Sequence, residues 1–184
     1  MSWFNKRIAA RLAVVAALAA TVAGCFQPMY AERGTNGEPA LREKLQGVEV
    51  PPLKLPNGSR EARLGVNIRN TLMFSMYGSA VGGPPTHRLL IRITTSRLSV
   101  IVDPATARPD LENYGIDATY ELKDNATDKT VLTGTTFSRV SYDIPGQAQR
   151  FAGSRALRDA EDRASKVIAD NISQRLASFF IAGT

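Results

Sequence analysis

Cys25 and His87 each occur once in the 184-residue chain, and their scarcity limits the chemistry available. One cysteine cannot build an internal disulfide framework or a cysteine-rich metal cluster. One histidine argues against a multi-histidine metal site and against a conventional Ser-His-Asp triad. His87 follows Gly82-Gly83-Pro84-Pro85-Thr86 and opens an alternating apolar segment, so a strand-end position is expected, and no nucleophile is placed beside it to make it a base. Asp103, Asp110 and Glu112 lie near one inter-strand connection and are the residue types that paired-carboxylate catalysis uses, but loops carry such groups for solvation. Ser138, Ser141 and Tyr142 have no identifiable base. G-x-S-x-G, P-loop, H-E-x-x-H and C-x-x-C patterns do not occur. The expectation is a non-catalytic protein with no metal and no cofactor.

The position of Cys25 explains its presence better than any redox role. Residues 1–24 carry Lys6, Arg7 and Arg11 and no acid, followed by an apolar run from Leu12 to Val22 interrupted only by Thr21. That is a charged n-region and a short h-region, too short to span about 30 Å of hydrocarbon as a helix. The run ends in Val22-Ala23-Gly24-Cys25, which resembles the bacterial lipobox: an aliphatic residue, two small ones, then the lipid-modified cysteine. The expected organisation is a lipoprotein signal peptide at 1–24, a lipidated N-terminus and tether at 25–45, and one domain at 46–184. Each buried methylene of an acyl chain contributes about 0.8 kcal/mol, so a multiply acylated Cys25 would hold the chain on a bilayer without a transmembrane helix. By resemblance to sorted bacterial lipoproteins, Phe26 rather than Asp after the cysteine suits the outer membrane.

The formal charge of the whole chain is +6, from 23 basic and 17 acidic residues. Removal of the signal takes three basic residues and no acid, leaving 20 − 17 = +3 on residues 25–184. The only tryptophan, Trp3, leaves as well. A charge of +3 spread over 160 residues is too dilute for a nucleic-acid surface.

The remaining chain reads as alternating elements. Phe26 to about Leu45 has no period and contains Gly34, Gly37 and Pro39, a composition suited to a tether. Val48 and Val50 give a short first strand ending at Pro51-Pro52. Ser59 or Asn57 can cap a helix of about five turns in which Leu64, Ile68, Leu72 and Met76 recur every four residues, stopping before Gly78. Gly65 inside it costs about 1 kcal/mol relative to alanine. From Arg88 to Val102, Leu89, Ile91 and Ile93 share one parity and Leu98, Val100 and Val102 the other, which predicts a bulge or turn near Thr95–Arg97. Tyr114, Ile116, Ala118, Tyr120 and Leu122 alternate with Gly115, Asp117, Thr119, Glu121 and Lys123, then turn at Asp124-Asn125-Ala126-Thr127-Asp128 into a return strand from Thr130 to Val140. Ala156, Ala160, Ala164, Val167, Ile168, Ile172, Leu176 and Phe179 mark a helix over about 154–181, with Arg158, Asp162, Lys166 and Asp170 as a solvated ladder. The predicted fold is α+β, a two-layer sandwich of order β-α-β-β-β-α. It has a mixed, mostly antiparallel sheet of about four strands and two helices packed on one face.

Arg92 and Arg97 in the second strand region, Lys123 and Lys129 flanking the hairpin turn, and Arg139 in the return strand can pair with phosphate or carboxylate groups of a lipid headgroup. Protection of sheet edges by charge is the competing reading.

Two segments carry a resemblance. Cys25-Phe26-Gln27-Pro28-Met29-Tyr30 resembles the mature start of the LptE family of lipopolysaccharide-assembly lipoproteins, in its alphaproteobacterial-type branch, without the glycine that usually follows the cysteine. Phe151-Ala152, Ala156, Arg158, Asp159-Ala160-Glu161, Arg163, Ala169-Asp170, Ile172, Arg175-Leu176 and Phe179-Phe180 are similar to that branch's C-terminal helix. The resemblance implies an outer-membrane lipoprotein that faces the periplasm, sits in the lumen of an LptD-type β-barrel, assists its assembly and contacts lipopolysaccharide bound for the outer leaflet. Basic residues on or between strands make those contacts in the family, so Arg92, Arg97, Lys123 and Lys129 are the candidates. The alternatives are an auxiliary lipoprotein of a phospholipid-trafficking transporter, PqiC-like, and a lipid-anchored periplasmic hydrolase built around His87 or Asp103.

Overall fold

The computed structural model describes residues 40–79, 81–103, 108–144 and 150–183. The expected signal peptide, Cys25 and most of the expected tether lie outside the described residues. Its elements are α1 (Leu41–Gln46), β1 (Val48–Glu49), α2 (Arg60–Tyr77), β2 (His87–Asp103), β3 (Arg108–Asp124), β4 (Thr130–Asp143) and α3 (Arg150–Ala182). The sheet order is β1-β2-β3-β4. β1 runs parallel to β2 after the α2 crossover, and the two later pairings are antiparallel hairpins. This is the α+β two-layer architecture and strand order expected, with one short helix added in front.

That helix, Leu41–Gln46, overlaps the end of the segment read from the sequence as tether. Leu41 and Leu45 lie four apart and are both buried against the core. Two apolar residues in an otherwise polar hexamer are too few to establish a helical period, which is why the segment reads as tether. Lys44 Nζ reaches the Phe180 carbonyl at 3.4 Å near the end of α3, so α1 also closes the C-terminal end of the long helix.

α2 forms where the period places it. Ser59 is its N-cap, with Oγ accepting from the Ala62 amide at 3.0 Å, and Gly78 closes it in the left-handed region. The cap is Ser59 and not Asn57. Ser59→Ala should therefore cost about 1 kcal/mol while Asn57→Ala stays near zero, and paired urea titrations would detect the difference. Leu64, Ile68, Leu72 and Met76 are fully buried. Gly65 has a positive use: a Cβ there would meet Leu55 Cδ1 at 2.9 Å and Leu53 Cβ at 3.3 Å, because the segment leaving β1 crosses the helix at this point.

In the sheet, Leu89 and Ile91 of β2, Tyr114 through Leu122 at even positions of β3, and Leu132, Ser138 and Tyr142 of β4 face the helices. The register of β2 on β3 runs unbroken through Thr95↔Ile116, Ser96↔Gly115 and Arg97↔Tyr114; its irregularities fall between Ser99 and Val102 instead. No face switch occurs at Thr95–Arg97. Leu98 keeps the parity of Leu90 and Arg92 and is exposed on the helix-free face, and Val100, at the register shift, is exposed as well. The change of apolar parity marks apolar residues placed on both faces of one strand.

α3, at 33 residues about 50 Å long, spans the domain. Ala160, Ala164, Ile168, Ile172 and Leu176 are fully buried, and so are Glu161, Ser165 and Ala169. The helix is thus covered on two sides, by the sheet and by α2. Of the expected charge ladder, Lys166 pairs with Asp170 at 2.9 Å, but Asp162 accepts from Asn67 of α2 at 2.8 Å. Val167, expected in the core, is 42% exposed.

Candidate functional site

The face of the sheet away from the helices is the surface on which strand geometry gathers most of the candidate side chains. Cross-strand pairing places Arg88 opposite Lys123, Leu90 opposite Glu121, Arg92 opposite Thr119, Thr94 opposite Asp117 and Leu98 opposite Asn113. β4 continues those rows with Thr133, Thr135, Phe137, Arg139 and Ser141. The result is graded along the strands. Arg88, Arg92 and Lys123 gather at the end near β1 together with Glu121 and with Glu49, 3.6 Å from Arg88, so basic side chains outnumber acidic ones there by three to two. Hydroxyls of Thr94, Ser96, Thr119 and Thr135 fill the middle. Leu98, 67% exposed, and Val100 lie toward the far end, while Phe137, 66% exposed, stands on β4.

Arg139 was visible in the sequence as a basic strand residue, but its arrangement was not. Its guanidinium grips Asp117 through both carboxylate oxygens, at 2.8 and 2.9 Å, and lies 5.6 Å from the Phe137 ring centroid. Gly115 makes this possible: a Cβ there would come within 2.5 Å of Ser96 Oγ and 3.0 Å of Arg139 Cδ and Nε. The Arg139 charge is thereby occupied, and the cations displayed on this face are those of Arg88, Arg92 and Lys123.

The other candidates separate from this group. Arg97 has the opposite parity and points to the helix side, near Tyr114 and Tyr142, where its charge partly offsets the forces that raise both phenols. Burial, then Glu161, pushes Tyr114 to about 12; burial, then a hydrogen bond donated to Glu112, pushes Tyr142 to about 12. Lys129 sits in the β3–β4 turn, exposed. That turn is tied by Asp124, which accepts from the amides of Ala126 and Thr127 at 2.8 Å each, and these bonds depress its carboxyl. Cys25 lies outside the described residues.

His87 and the acids fill structural places. His87 is half-buried, edge-on to Phe180 with centroids 5.3 Å apart, its Nδ1 2.9 Å from Thr86 Oγ1. Burial lowers its pKa below 6.5, with Asp124 opposing. The fold therefore favours the neutral ring. Stability should be complete above pH 6.5 and decline as pH falls from 6.5 toward the lowered folded value. His87→Gln should flatten the dependence of Tm on pH across that window; an unchanged slope would contradict the assignment. Glu112 is engaged by Tyr142 and Asp110 is exposed, while the side chain of Asp103 lies outside the described residues. Among the described residues no group of His, Cys, Asp and Glu is arranged to hold a metal ion, and no helix is long and apolar enough to cross a membrane.

An internal ion pair went unrecognised in the sequence. Glu161 of α3 is 1% exposed, yet ionic, bound by Arg63 and with Arg60 Nε at 3.5 Å, both from α2. The signal was its place: Glu161 follows Ala160 on the buried stripe, where only a paired carboxylate is tolerated.

The described residues form a two-layer α+β domain with one sheet face free of helices. A family model described as lipopolysaccharide-assembly, LptE, matches residues 45–176, and the chain belongs to that family. Its role at family level is in lipopolysaccharide assembly, and the family consists of non-enzymatic lipoproteins. Among solved structures, a Caulobacter crescentus protein named as a lipoprotein is similar with a TM-score of 0.61 at 19% identity, covering 78% of this chain and 97% of its own. The rare lipoprotein B of Shewanella oneidensis aligns with a TM-score of 0.52 at 14% identity, covering 74% and 96%. At these identities the likeness is one of fold. No curated protein matches the chain by sequence.

Proposed function

We propose that this protein is an outer-membrane lipoprotein, anchored through an acylated Cys25, that occupies the lumen of an LptD-type β-barrel and assists its assembly. On this reading it also contacts lipopolysaccharide on the way to the outer leaflet. The observation that carries the reading is the helix-free sheet face, where Arg88, Arg92 and Lys123 outnumber Glu121 and Glu49 at one end and the apolar Leu98 and Val100 stand at the other. Lipopolysaccharide is itself anionic at the headgroup and apolar at the acyl chains, so both halves find a complement along one surface. A many-stranded barrel leaves a polar, water-filled lumen unless something occupies it. A small domain with a mixed-charge exterior meets that need without a hydrophobic seal.

Of the four residues singled out from the sequence, Arg92 and Lys123 share the helix-free face and are the ones proposed to touch the headgroup first; Arg97 is on the helix side and Lys129 is in the β3–β4 turn. A photoreactive residue at Thr119, directly opposite Arg92, should form an adduct with lipopolysaccharide in cells. Arg92→Glu with Lys123→Glu should cut that adduct about tenfold or more, since two cation–phosphate attractions become repulsions, while recovery of the barrel with the protein is unchanged. An adduct insensitive to both reversals would remove the face from the proposal.

A further inference from the structure

We propose that the end of the domain at which the chain enters, around Leu41, is a membrane-contact surface. There Phe74, Val81 and Ile181 enter the headgroup–acyl boundary of the bilayer that holds the Cys25 anchor. The inference rests on the acylated-Cys25 reading and does not depend on the barrel.

Two charge-free stretches of sequence meet at this end. Asn70 to Thr86 is 17 residues without Asp, Glu, Lys or Arg, and Leu176 to Thr184 is nine more. The fold brings them together because α2 and α3 lie side by side and run the same way. Arg63 meets Glu161 near their starts, and Ser75 Oγ lies 2.9 Å from Ser173 Oγ further along. The C-terminal ends of both helices thus share one end of the helix layer, and α1 ties them there. Gln46 Nε2 donates to the Tyr77 carbonyl at 3.4 Å, and the Gly83 amide donates to the Gln46 carbonyl at 2.9 Å. Neither long helix has a basic residue in its last turn. Lys44 of α1, donating to the Phe180 carbonyl, supplies the positive charge that a helix C-terminus favours.

Large apolar side chains at this end are left outside the core. Val81 is 79% exposed, and Phe74 and Ile181 are each more than half exposed. The opposite ends of the same helices are charged, with Arg60, Glu61 and Arg63 on α2 and Arg155, Arg158 and Asp159 on α3. Exposed apolar side chains gathered on one surface mark a contact with protein or membrane.

The occupant follows from where the chain goes. Leu41 opens α1 at this end, and Cys25 lies 41 − 25 = 16 residues upstream, a length that spans at most about 55 Å. The start of α3 stands roughly another 50 Å away along the helix. An acylated Cys25 therefore holds the charge-free end closest to the bilayer. Protein partners use charge to fix register, and Ser79, Val81, Gly82, Gly83, Pro84 and Pro85 offer none, whereas a bilayer requires none. Interfacial binding scales with the apolar area that dips below the headgroups. Arg42 and Glu43, exposed on α1, suit the headgroup layer, where charged groups stay hydrated while their stems cover apolar surface.

The test uses the full lipoprotein with a single tryptophan, since Trp3 is the only one in the chain. W3F/V81W, W3F/F74W and W3F/F151W are reconstituted into vesicles of phosphatidylethanolamine and phosphatidylglycerol with brominated acyl chains. Phe151, 88% exposed at the start of α3, is the control for an apolar position far from the anchor. All three positions are exposed, so the variants keep the fold. V81W and F74W should be quenched about twofold or more beyond F151W, as fits a side chain about 5–10 Å into the headgroup–acyl boundary. Equal quenching at positions 81 and 151 in protein that floats with the vesicles would overturn the inference. So would V81W emission that is blue-shifted yet insensitive to bromine, which would mean that protein covers this end. Failure of the wild type to float would remove the acylated anchor, and the inference with it.

Discussion

Replacing Arg63 with methionine should destabilise the domain by about 3–5 kcal/mol, the range for removing one partner of a buried ion pair. Replacing Glu161 with glutamine should cost clearly less. The asymmetry follows from exposure. The Glu161 side chain is 1% exposed and Arg63 is 32% exposed. Without Arg63, the carboxylate stays in the interior with Arg60 at 3.5 Å as its remaining cation. Without the carboxylate charge, Arg63 can turn toward water, and the loss is that of a charge-assisted hydrogen bond, about 1.5–3 kcal/mol. Arg63→Met with Glu161→Leu together should recover most of the deficit, because well-packed apolar groups often replace a buried pair at little cost. Urea unfolding of the wild type, Arg63→Met, Glu161→Leu and the double variant gives the coupling energy directly. A larger loss in Glu161→Gln than in Arg63→Met would contradict this assignment.

Leu72→Ala should cost about 2–5 kcal/mol, and Val66→Ala on the same helix within about 0.5 kcal/mol. Leu72 is fully buried and Val66 is 56% exposed, so the two truncations separate the core face of α2 from its solvent face. Leu72 leaves a cavity that the surrounding Ile68, Met76 and α3 cannot close without strain. For a domain of this size each kcal/mol moves Tm by about 2–4 °C, so calorimetry should show a drop of several degrees for Leu72→Ala and almost none for Val66→Ala. Similar drops for both would mean that α2 is rotated from the orientation described.

These two residues also mark where the sequence was legible. The Leu64–Met76 spacing, the Ser59 cap and Gly78 give α2 almost to the residue, because period and capping act locally and agree. Strict alternation from Tyr114 to Leu122 and the Asp124 turn likewise give the β3–β4 hairpin. Other features depend on contacts distant in sequence. α1 is held against α2 and, more than a hundred residues away, α3, and no local period announces it. Glu161 reads as one more charge on a charged helix until α2 brings Arg63 to it.

The candidate surface was half legible. Alternation alone places Arg92 on the face away from Leu89 and Ile91 and Lys123 on the face away from Leu122, and it also places Arg97 with Leu89 and Ile91 on the helix side. Treating Leu98 and Val100 as core residues implied a face switch and concealed that. Apolar side chains on a bare face are a feature of binding surfaces, and a single strand cannot distinguish them from core. Val167 is the same lesson on a helix. Its spacing fits the buried stripe, yet the stripe is finished by Ala164, Ile168 and Ala169, and Val167 lies on the flank.

The central claim is that the domain works inside a barrel partner. Its most direct test is purification of the tagged full chain from membranes in mild detergent, with mass spectrometry of what accompanies it. The account predicts a barrel of LptD type in near-stoichiometric amount, retained when Arg92 and Lys123 are reversed. Recovery of phospholipid-transporter subunits without any barrel would contradict it and assign this face of the sheet to a different complex.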